Sequence, residues 1–163
     1  NDPTLAAALA SGADSPDRLA AIAHEASGAP VDAAYLVRRL AQFREECERI
    51  VPGVADALRA RDLGRVGTLV DRSQALAEQA LENQVPETIA LARLAREFGA
   101  AAASAFGAGF GGAVWAMVAR SDAEEFIERW KTTFATQFPT RAARSRFLLT
   151  MPGAPAGSGG TRG

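Results

Sequence analysis

Four glycines within six residues are the feature of this sequence whose residue types and spacing could do chemistry. The stretch reads Phe-Gly-Ala-Gly-Phe-Gly-Gly, and its candidate site residues are Gly107, Ala108, Gly109, Phe110, Gly111 and Gly112. Its glycines allow positive φ angles and let a phosphate group or another backbone approach without a Cβ in the way. A second interpretation stays open, in which the stretch is only a tight loop that joins two strands and touches no ligand.

Two common nucleotide-binding motifs do not account for this stretch. A Walker A loop requires a Gly-Lys-Ser/Thr sequence, which does not follow here. A dinucleotide-binding fingerprint requires a helix after the glycines, whereas residues 113–119 form a continuous apolar run that predicts a buried strand. The stretch therefore has to be interpreted from its own residues and from the elements around it.

Other side chains that could carry catalysis do not form a recognisable set. The one histidine, His24, has no suitably placed nucleophile, and it cannot form a Cys/His zinc site with the one cysteine, Cys47. The carboxylates of Glu45, Glu46 and Glu48 have arginine neighbours, which is typical of ion pairs on a helix. We therefore predict no catalytic residue and no metal site in this chain. We expect an exposed His24 and a buried, inert Cys47.

Composition and charge narrow the class of protein. Lys and Arg together number 18 against 19 for Asp and Glu, so the formal net charge is -1, which argues against nucleic-acid or membrane-surface partners. Hydrophobic residues make up 48% of the chain, enough for a substantial core. The chain has no apolar run long enough to span a bilayer, and no signal-peptide pattern opens it. We expect a soluble cytoplasmic protein.

The residues before the glycine stretch carry helical patterns. Apolar residues recur at spacings of three and four over residues 36–58, which predicts one long amphipathic helix that Pro52 kinks or splits. Asp62 predicts the N-cap of a second helix, whose stripe of small residues lets another helix approach closely. A third helix is predicted over residues 86–98, with Gly99 as its end. The alanine-rich residues 100–105 favour helix on propensity alone.

The residues after the stretch predict a strand, a helix and a second strand. Ser121 and Glu124 have the spacing of a capping box, and the helix that they open carries one aromatic face and ends at Pro139. A short strand is predicted over residues 146–151. Trp115 and Trp130 lie on apolar faces, which indicates core packing. The order of elements therefore predicts an α+β fold.

The glycine stretch also resembles a known motif. Residues 106–113 (FGAGFGGA) resemble the third motif of the GHMP small-molecule kinases, and the form with phenylalanine between the glycines looks like galactokinase. The helical segments at 38–50 and 57–70 and the segment at 85–87 are similar to galactokinase segments, so that the resemblance covers about residues 31–151. It implies a ferredoxin-like antiparallel sheet packed against several helices, as in the GHMP kinase C-terminal domain.

The resemblance implies three parts of the chain and a function for the whole protein. Residues 1–30 are an N-terminal helical segment, residues 31–151 are the GHMP kinase C-terminal-like domain, and residues 152–163 are a disordered tail. The longer protein is expected to be an ATP-dependent sugar kinase that transfers the ATP γ-phosphate to a sugar hydroxyl, with ATP and Mg²⁺ as cofactors. Residues 107–112 would line the nucleotide and substrate cleft.

The partners that the resemblance implies are the sugar substrate and a missing N-terminal kinase lobe. The chain begins at Asn1 without a methionine, and we expect that lobe to precede it. Alone, the chain is expected to bind no cofactor and to be inactive, while its self-association is left open.

Two departures from the galactokinase pattern keep other functions open. Residues 104–106 read Ser-Ala-Phe where galactokinases place Arg-Met-Thr, and residues 72–74 read Arg-Ser-Gln where that family has Glu-Ser-His. One alternative is a catalytically degenerate GHMP-like module that binds a ligand or a partner. The other is a helical interaction module whose glycine stretch is only a turn.

Overall fold

The computed structural model of the chain describes Ala21, His24, Glu25 and residues 32–153. The predicted N-terminal segment lies outside the described residues except for those first three, and the predicted tail lies outside them from residue 154 onward. His24 is exposed, as expected. The chain forms two compact units, the first ending at Val118 and the second beginning at Ala119.

The first unit opens with a helix that changes its winding. Helix α1 spans Ala33–Glu45, a π-helical turn (π1) spans Glu46–Ile50, and helix α2 spans Val51–Arg59. Asp32 caps α1, because its side chain accepts a hydrogen bond from the backbone N–H of Ala34 at 2.9 Å. The predicted long helix is therefore confirmed, and the turn that precedes Pro52 takes the place of a sharp kink.

Proline explains why the helix widens at π1. Pro52 has no N–H to donate, and its ring would crowd the carbonyl four residues earlier in a regular helix. The N–H of Val51 instead donates to the carbonyl of Glu46, five residues back, which is the hydrogen bond of a π turn. The extra residue per turn rotates the apolar stripe, so that Cys47 is exposed and Leu58 is 47% exposed. The prediction of a buried Cys47 is wrong for this reason.

Two further helices follow in the first unit. Helix α3 spans Leu63–Leu76 and continues as a second π turn (π2, Ala77–Leu81), and helix α4 spans Pro86–Glu97. Asp62 caps α3 as predicted, because its carboxylate accepts from the N–H of Arg65 at 2.9 Å. Gly99 follows α4 with a φ of +95°, as expected for a glycine that ends a helix.

The glycine stretch lies between two paired strands. Strand β1 (Ala102–Phe106) pairs antiparallel with strand β2 (Ala113–Met117), with Ala102 opposite Met117 and Phe106 opposite Ala113. The alanine-rich segment therefore ends in a strand, although its propensity favours helix. Ala102 and Ala103 are at most 1% exposed, since their small side chains let α3 and α4 pack directly on β1. Tertiary packing here overrides intrinsic propensity.

The core of the first unit lies between the hairpin and its helices. Its buried residues include Ala57, Val66, Val70 and Ala102. Trp115 packs against this cluster from β2, as predicted for a core tryptophan. The structure thus confirms an α+β fold in which an antiparallel sheet, two-stranded in the part of the chain described, packs against several helices.

The second unit is held together by aromatic rings. A 3₁₀ turn (Arg120–Asp122) leads into helix α5 (Ala123–Gln137), and a short helix α6 (Pro139–Ala142) follows. Phe126, Trp130 and Phe134 are buried on one face of α5, as predicted. The centroid of the Phe147 ring lies 5.3 Å from that of Trp130, in an edge-on arrangement, and 6.1 Å from that of Phe134.

Two predictions for the second unit are wrong. Ser121 lies within the 3₁₀ turn, and its hydroxyl donates to the carboxylate of Asp122 at 2.6 Å, so Ser121 and Glu124 do not form a capping box. Residues 146–151 do not form a strand. A strand needs a partner to satisfy its backbone, whereas this segment is anchored by the ring of Phe147 instead.

None of the helices in the described part of the chain combines the length and the apolar character that crossing a membrane requires.

Candidate functional site

All six candidate residues lie in the loop that joins β1 to β2, which we call the glycine loop (residues 107–112). Five of its six residues have positive φ: +92° at Gly107, +87° at Gly109, +59° at Phe110, +114° at Gly111 and +104° at Gly112. Residues with side chains rarely adopt such angles. The sequence Gly-x-Gly-x-Gly-Gly is therefore required by the backbone path of the loop.

The outer side of the glycine loop is open. A Cβ atom added at Gly107, Gly111 or Gly112 would meet no atom within 4 Å. Phe110, in the loop, is 76% exposed, and Phe106, just before it, is 58% exposed. The loop thus presents backbone groups and two aromatic rings to whatever lies against it, and its own residues include no carboxylate, base or nucleophile.

The inner side of the loop rests on a single residue. Asn83 lies in the connection between π2 and α4, and its backbone carbonyl accepts the N–H of Phe110 at 2.5 Å. Its side-chain Nδ2 donates to the carbonyl of Ala108 at 3.2 Å. A Cβ on Gly109 would overlap the Asn83 carbonyl oxygen and lie 2.6 Å from both Cγ and Nδ2. Gly109 is therefore needed for space as well as for its φ.

Polar neighbours hold Asn83 in turn. The amide of Gln84 donates from Nε2 to Asn83 Oδ1 at 3.0 Å, and the hydroxyl of Thr88 lies 2.9 Å from Gln84 Oε1. Thr88 is 3% exposed and stands in the first turn of α4. Glu82, the residue before Asn83, has a φ of +52°, and its carboxylate pairs with Arg38 of α1 at 3.1 Å. The connection is thus fixed to both α1 and α4.

A second polar side chain supports the strand that leads into the loop. Gln74 of α3 is 7% exposed, and its Oε1 accepts from the hydroxyl of Ser104 and from the backbone N–H of Ala105, both at 2.9 Å. Its Nε2 donates to Glu78 at 2.9 Å. Gln74 therefore accepts a hydrogen bond from a backbone donor of β1. It also occupies the hydroxyl of Ser104.

One ion pair and one hydrogen bond connect α3 to the end of α1 and to π1. Arg72 makes a two-point contact with Glu45, at 2.8 Å from Nε to Oε1 and 2.6 Å from Nη2 to Oε2. The hydrogen bond from Arg72 holds the pKa of Glu45 below its usual value, and the same bond raises the pKa of Arg72. The neighbouring Ser73 donates to Glu46 at 2.6 Å. The predicted pairing with neighbouring arginines is confirmed for Glu48, which pairs with Arg44 at 3.4 Å, whereas the partner of Glu45 lies on another helix.

The second unit contains an open groove of about 670 Å³ along α5, α6 and residues 145–148. Apolar side chains such as Ile127, Ala135 and Phe147 line most of it, and its charged residues are Glu128, Lys131 and Arg146. It contains none of the candidate residues. Within the ranges that the structure describes, no group of three or more His, Cys, Asp or Glu residues could hold a metal ion.

Sequence reasoning found the loop but missed the residues that hold it. Asn83 belongs to no motif, and Gln74 stands out in the sequence only as a departure from the galactokinase pattern at 72–74. Each acts through contacts with residues 25 to 31 positions away. A signal for Asn83 does exist, because Glu-Asn-Gln at 82–84 stands between a helical pattern and the Pro86 that starts the next helix. Polar residues at such a junction are suited to capping and turn contacts.

Comparison with protein families identifies the class to which this fold and loop belong. Residues 54–136, half of the chain, match the family model described as GHMP kinases C terminal, and the match includes the glycine loop, Asn83 and Gln74. The chain therefore belongs to the GHMP kinase C-terminal family. A search of curated proteins gives no match.

Proposed function

We propose that this chain is the C-terminal lobe of an ATP-dependent sugar kinase of galactokinase type. In the longer protein, the γ-phosphate of ATP would pass to a sugar hydroxyl. The observation that carries the proposal is a glycine loop with an open outer side, in a chain that belongs to the GHMP kinase C-terminal family. Supporting it is the phenylalanine between the glycines, the form that resembles galactokinase.

The loop suits a reaction that depends on positioning. Phosphoryl transfer needs the donor, the acceptor and the surrounding charges held in line, and it needs little covalent chemistry from the protein. The glycine loop offers backbone N–H groups without Cβ atoms in front of them at Gly107, Gly111 and Gly112. It would thus form one wall of the cleft, with its backbone next to the phosphate chain of ATP.

The remaining partners come from outside the described residues. ATP, accompanied by Mg²⁺, supplies the transferable phosphate when it is bound. An N-terminal lobe would supply the catalytic acid and the loop that cradles the nucleotide. The exposed rings of Phe106 and Phe110 fit a surface that such a lobe covers, because large exposed aromatic side chains at one place are typical of contact sites.

The experiment compares the longer protein, which includes the residues upstream of Asn1, with the 163-residue chain alone. ATP-dependent phosphorylation of galactose and of a panel of related sugars is measured for both. We expect the longer protein to phosphorylate a sugar and the 163-residue chain to be inactive. Phosphorylation by the 163-residue chain alone, or no sugar phosphorylated by the longer protein, would overturn the proposal.

A glycine variant connects the activity to the loop. Gly112→Val in the longer protein places a branched side chain on the open side of the loop, and we expect kcat/KM for ATP to fall at least about tenfold. Gly99→Val serves as the control, since Gly99 has a similar φ, +95° against +104°, and equally open space but lies outside the loop. Equal activity of the two variants would mean that the loop does not line the cleft.

A second candidate function is a catalytically degenerate binding module. It is favoured by residues 104–106, because the Ser104 hydroxyl is bonded to Gln74 and Phe106 presents an exposed ring where galactokinases place a threonine. Calorimetric titration of the longer protein with ATP and with galactose measures binding, and the phosphorylation assay described above measures turnover. Together they distinguish the two functions. Binding without turnover supports the module, and turnover supports the kinase.

A further inference from the structure

We propose that Asn83 is a positioning residue that holds the glycine loop in one conformation, so that the loop meets its ligand preformed. Asn83 lies outside the loop and outside the motif that the sequence analysis singled out. Its contact with the loop depends on no ligand. Only its effect on the use of ATP rests on the function proposed above.

The contacts are concentrated on the backbone of three consecutive loop residues. The carbonyl of Asn83 accepts from the N–H of Phe110 at 2.5 Å, and its Nδ2 donates to the carbonyl of Ala108 at 3.2 Å. Between these two bonds, Gly109 lies so close to Asn83 that a Cβ would not fit. One residue thus holds the loop by two hydrogen bonds and one close approach.

A relay of side chains fixes the orientation of the Asn83 amide. An asparagine amide can turn over and exchange its oxygen and nitrogen, and only one orientation donates to Ala108. Gln84 donates to the Asn83 oxygen at 3.0 Å, which leaves the Asn83 nitrogen toward the loop. The buried hydroxyl of Thr88 lies 2.9 Å from the Gln84 oxygen and 3.0 Å from the Val85 carbonyl, and its single hydrogen can go to either acceptor. Donation to Gln84 would tie the orientation of the Gln84 amide, and with it the group that Asn83 presents, to the first turn of α4.

The loop needs such a support because its own sequence supplies little order. Glycine has more backbone freedom to lose on folding than any other residue. Phe110 adopts a φ of +59° although it carries a side chain. A ligand that binds one conformation binds more weakly in proportion to the fraction of molecules that hold this conformation. Loss of the support should therefore weaken binding without changing the chemistry that follows.

Two glycines of the loop form a matched pair for the first experiment. Gly109 and Gly107 have nearly the same φ, +87° and +92°, so alanine is strained to a similar extent at both positions. A Cβ at Gly109 runs into Asn83, whereas a Cβ at Gly107 meets nothing within 4 Å. The difference between Gly109→Ala and Gly107→Ala therefore isolates the contact with Asn83.

The first experiment measures amide hydrogen exchange by NMR in the 163-residue chain. We expect Gly109→Ala to accelerate exchange of the Phe110 amide at least about tenfold more than Gly107→Ala does. Asn83→Ala and the isosteric Asn83→Asp, neither of which can donate to Ala108, should accelerate it about five- to tenfold, the equivalent of one lost hydrogen bond. Exchange of the buried amides of α3, which lies in the same unit as the loop, reports whether that unit remains folded. Equal exchange in Gly109→Ala and Gly107→Ala would overturn the support of the loop by Asn83. Unchanged exchange in Asn83→Ala would overturn the role of the Asn83 side chain, because this variant keeps the backbone carbonyl that accepts from Phe110.

The second experiment uses the longer protein and separates KM from kcat. Asn83→Ala should raise the KM for ATP about five- to tenfold and change kcat less than about twofold, as expected for a smaller population of the competent loop. A purely structural role would reduce the amount of active protein, and hence kcat, at constant KM. Faster exchange with unchanged KM would overturn the positioning role and keep only the contact. Absence of kinase activity, with exchange as expected, would overturn the proposed function and leave the support of the loop by Asn83 intact.

Discussion

The β1–β2 hairpin has two ends at which a glycine lets backbone meet backbone, and they are built differently. At its base, Gly67 of α3 lies against the carbonyl oxygen of Ala101, and an added Cβ would overlap that oxygen and lie 2.9 Å from Arg96 Nη2. At its tip, Gly109 lies against the carbonyl oxygen of Asn83. The base is buried, with Ala102 and Ala103 at most 1% exposed, whereas most of the tip is exposed.

The surroundings of the two glycines show what each close approach does. Arg96 reinforces the base, because it pairs with Asp71 of α3 at 2.8 and 2.9 Å and donates to the carbonyls of Ala100 and Ala101. Gly67 is helical, so it is required only for space. Gly109 is required for both space and φ, and little apolar packing surrounds it. The base therefore supports the stability of the unit, while the tip supports the shape of a loop.

The largest effect on stability is expected at the base. In Gly67→Ala the new methyl group meets a backbone oxygen that cannot move without β1, at a cost of about 3 kcal/mol. The better helix propensity of alanine returns about 1 kcal/mol. We expect a net loss of about 2 kcal/mol in the free energy of unfolding, measured by urea denaturation followed by circular dichroism.

A second glycine of α3 provides the control for this prediction. The nearest atom to a Cβ at Gly64 would be Asp62 Oδ1 at 3.5 Å, an ordinary contact, and Gly64 is exposed. Gly64→Ala should therefore stabilise the protein by about 0.5–1 kcal/mol. Equal stability of the two variants would mean that α3 does not press on Ala101, and the distinction between base and tip would fail.

A smaller effect is expected midway between the two ends, where Gln74 supports β1. Gln74→Met keeps the length of the side chain but removes the acceptor of the Ala105 N–H, at a cost of about 1–1.5 kcal/mol. Ser104→Ala removes the hydroxyl donor but leaves Gln74 its bond to the Ala105 N–H. It should lower the free energy of unfolding by only about 0.5–1 kcal/mol. Urea denaturation of both variants checks this order. A more damaging Ser104→Ala would show that the hydroxyl, and not the backbone donor, is what Gln74 serves.

The sequence predicted much of the fold because its signals are local. Asp62 as an N-cap, Gly99 as a helix end and the aromatic face of α5 follow from propensity and spacing, and the structure confirms them. The failures have non-local causes. Cys47 is exposed because it lies in π1, the widened turn that precedes Pro52. Residues 146–151 lack a partner strand in the described part of the chain.

The candidate site also has one part with a local sequence signal and one part that depends on distant contacts. The glycine loop could be found because its φ angles demand glycine, and that demand is written in four residues of one hexapeptide. For Asn83 the polar run before Pro86 indicates a turn but not its partners, which are backbone atoms 25 to 27 residues away and leave no trace in residue type. Only Gly109 records the contact, and as a glycine among glycines it does not stand out.

The smallest effect is expected on the surface, at the pair of Glu45 and Arg72, which lies at neither end of the hairpin. The hydrogen bond from Arg72 lowers the pKa of Glu45 in the folded chain, so the unfolded chain binds a proton at a pH where the folded chain does not. The stability that the pair contributes is therefore present above the unfolded pKa and is lost as the pH falls through the folded one. Arg72 is 48% exposed, so salt should screen the pair.

The variant Arg72→Gln tests this sign. At neutral pH it should unfold at a slightly lower urea concentration than the parent chain, and the gap should close as the pH is lowered below the range in which Glu45 titrates. Arg65→Gln, at an exposed position of the same helix, removes the same charge without the bond to Glu45 and should show no such closing. A gap that stays constant with pH would mean that Arg72 acts through its packing on α1. The surface would then resemble the base of the hairpin more than its tip.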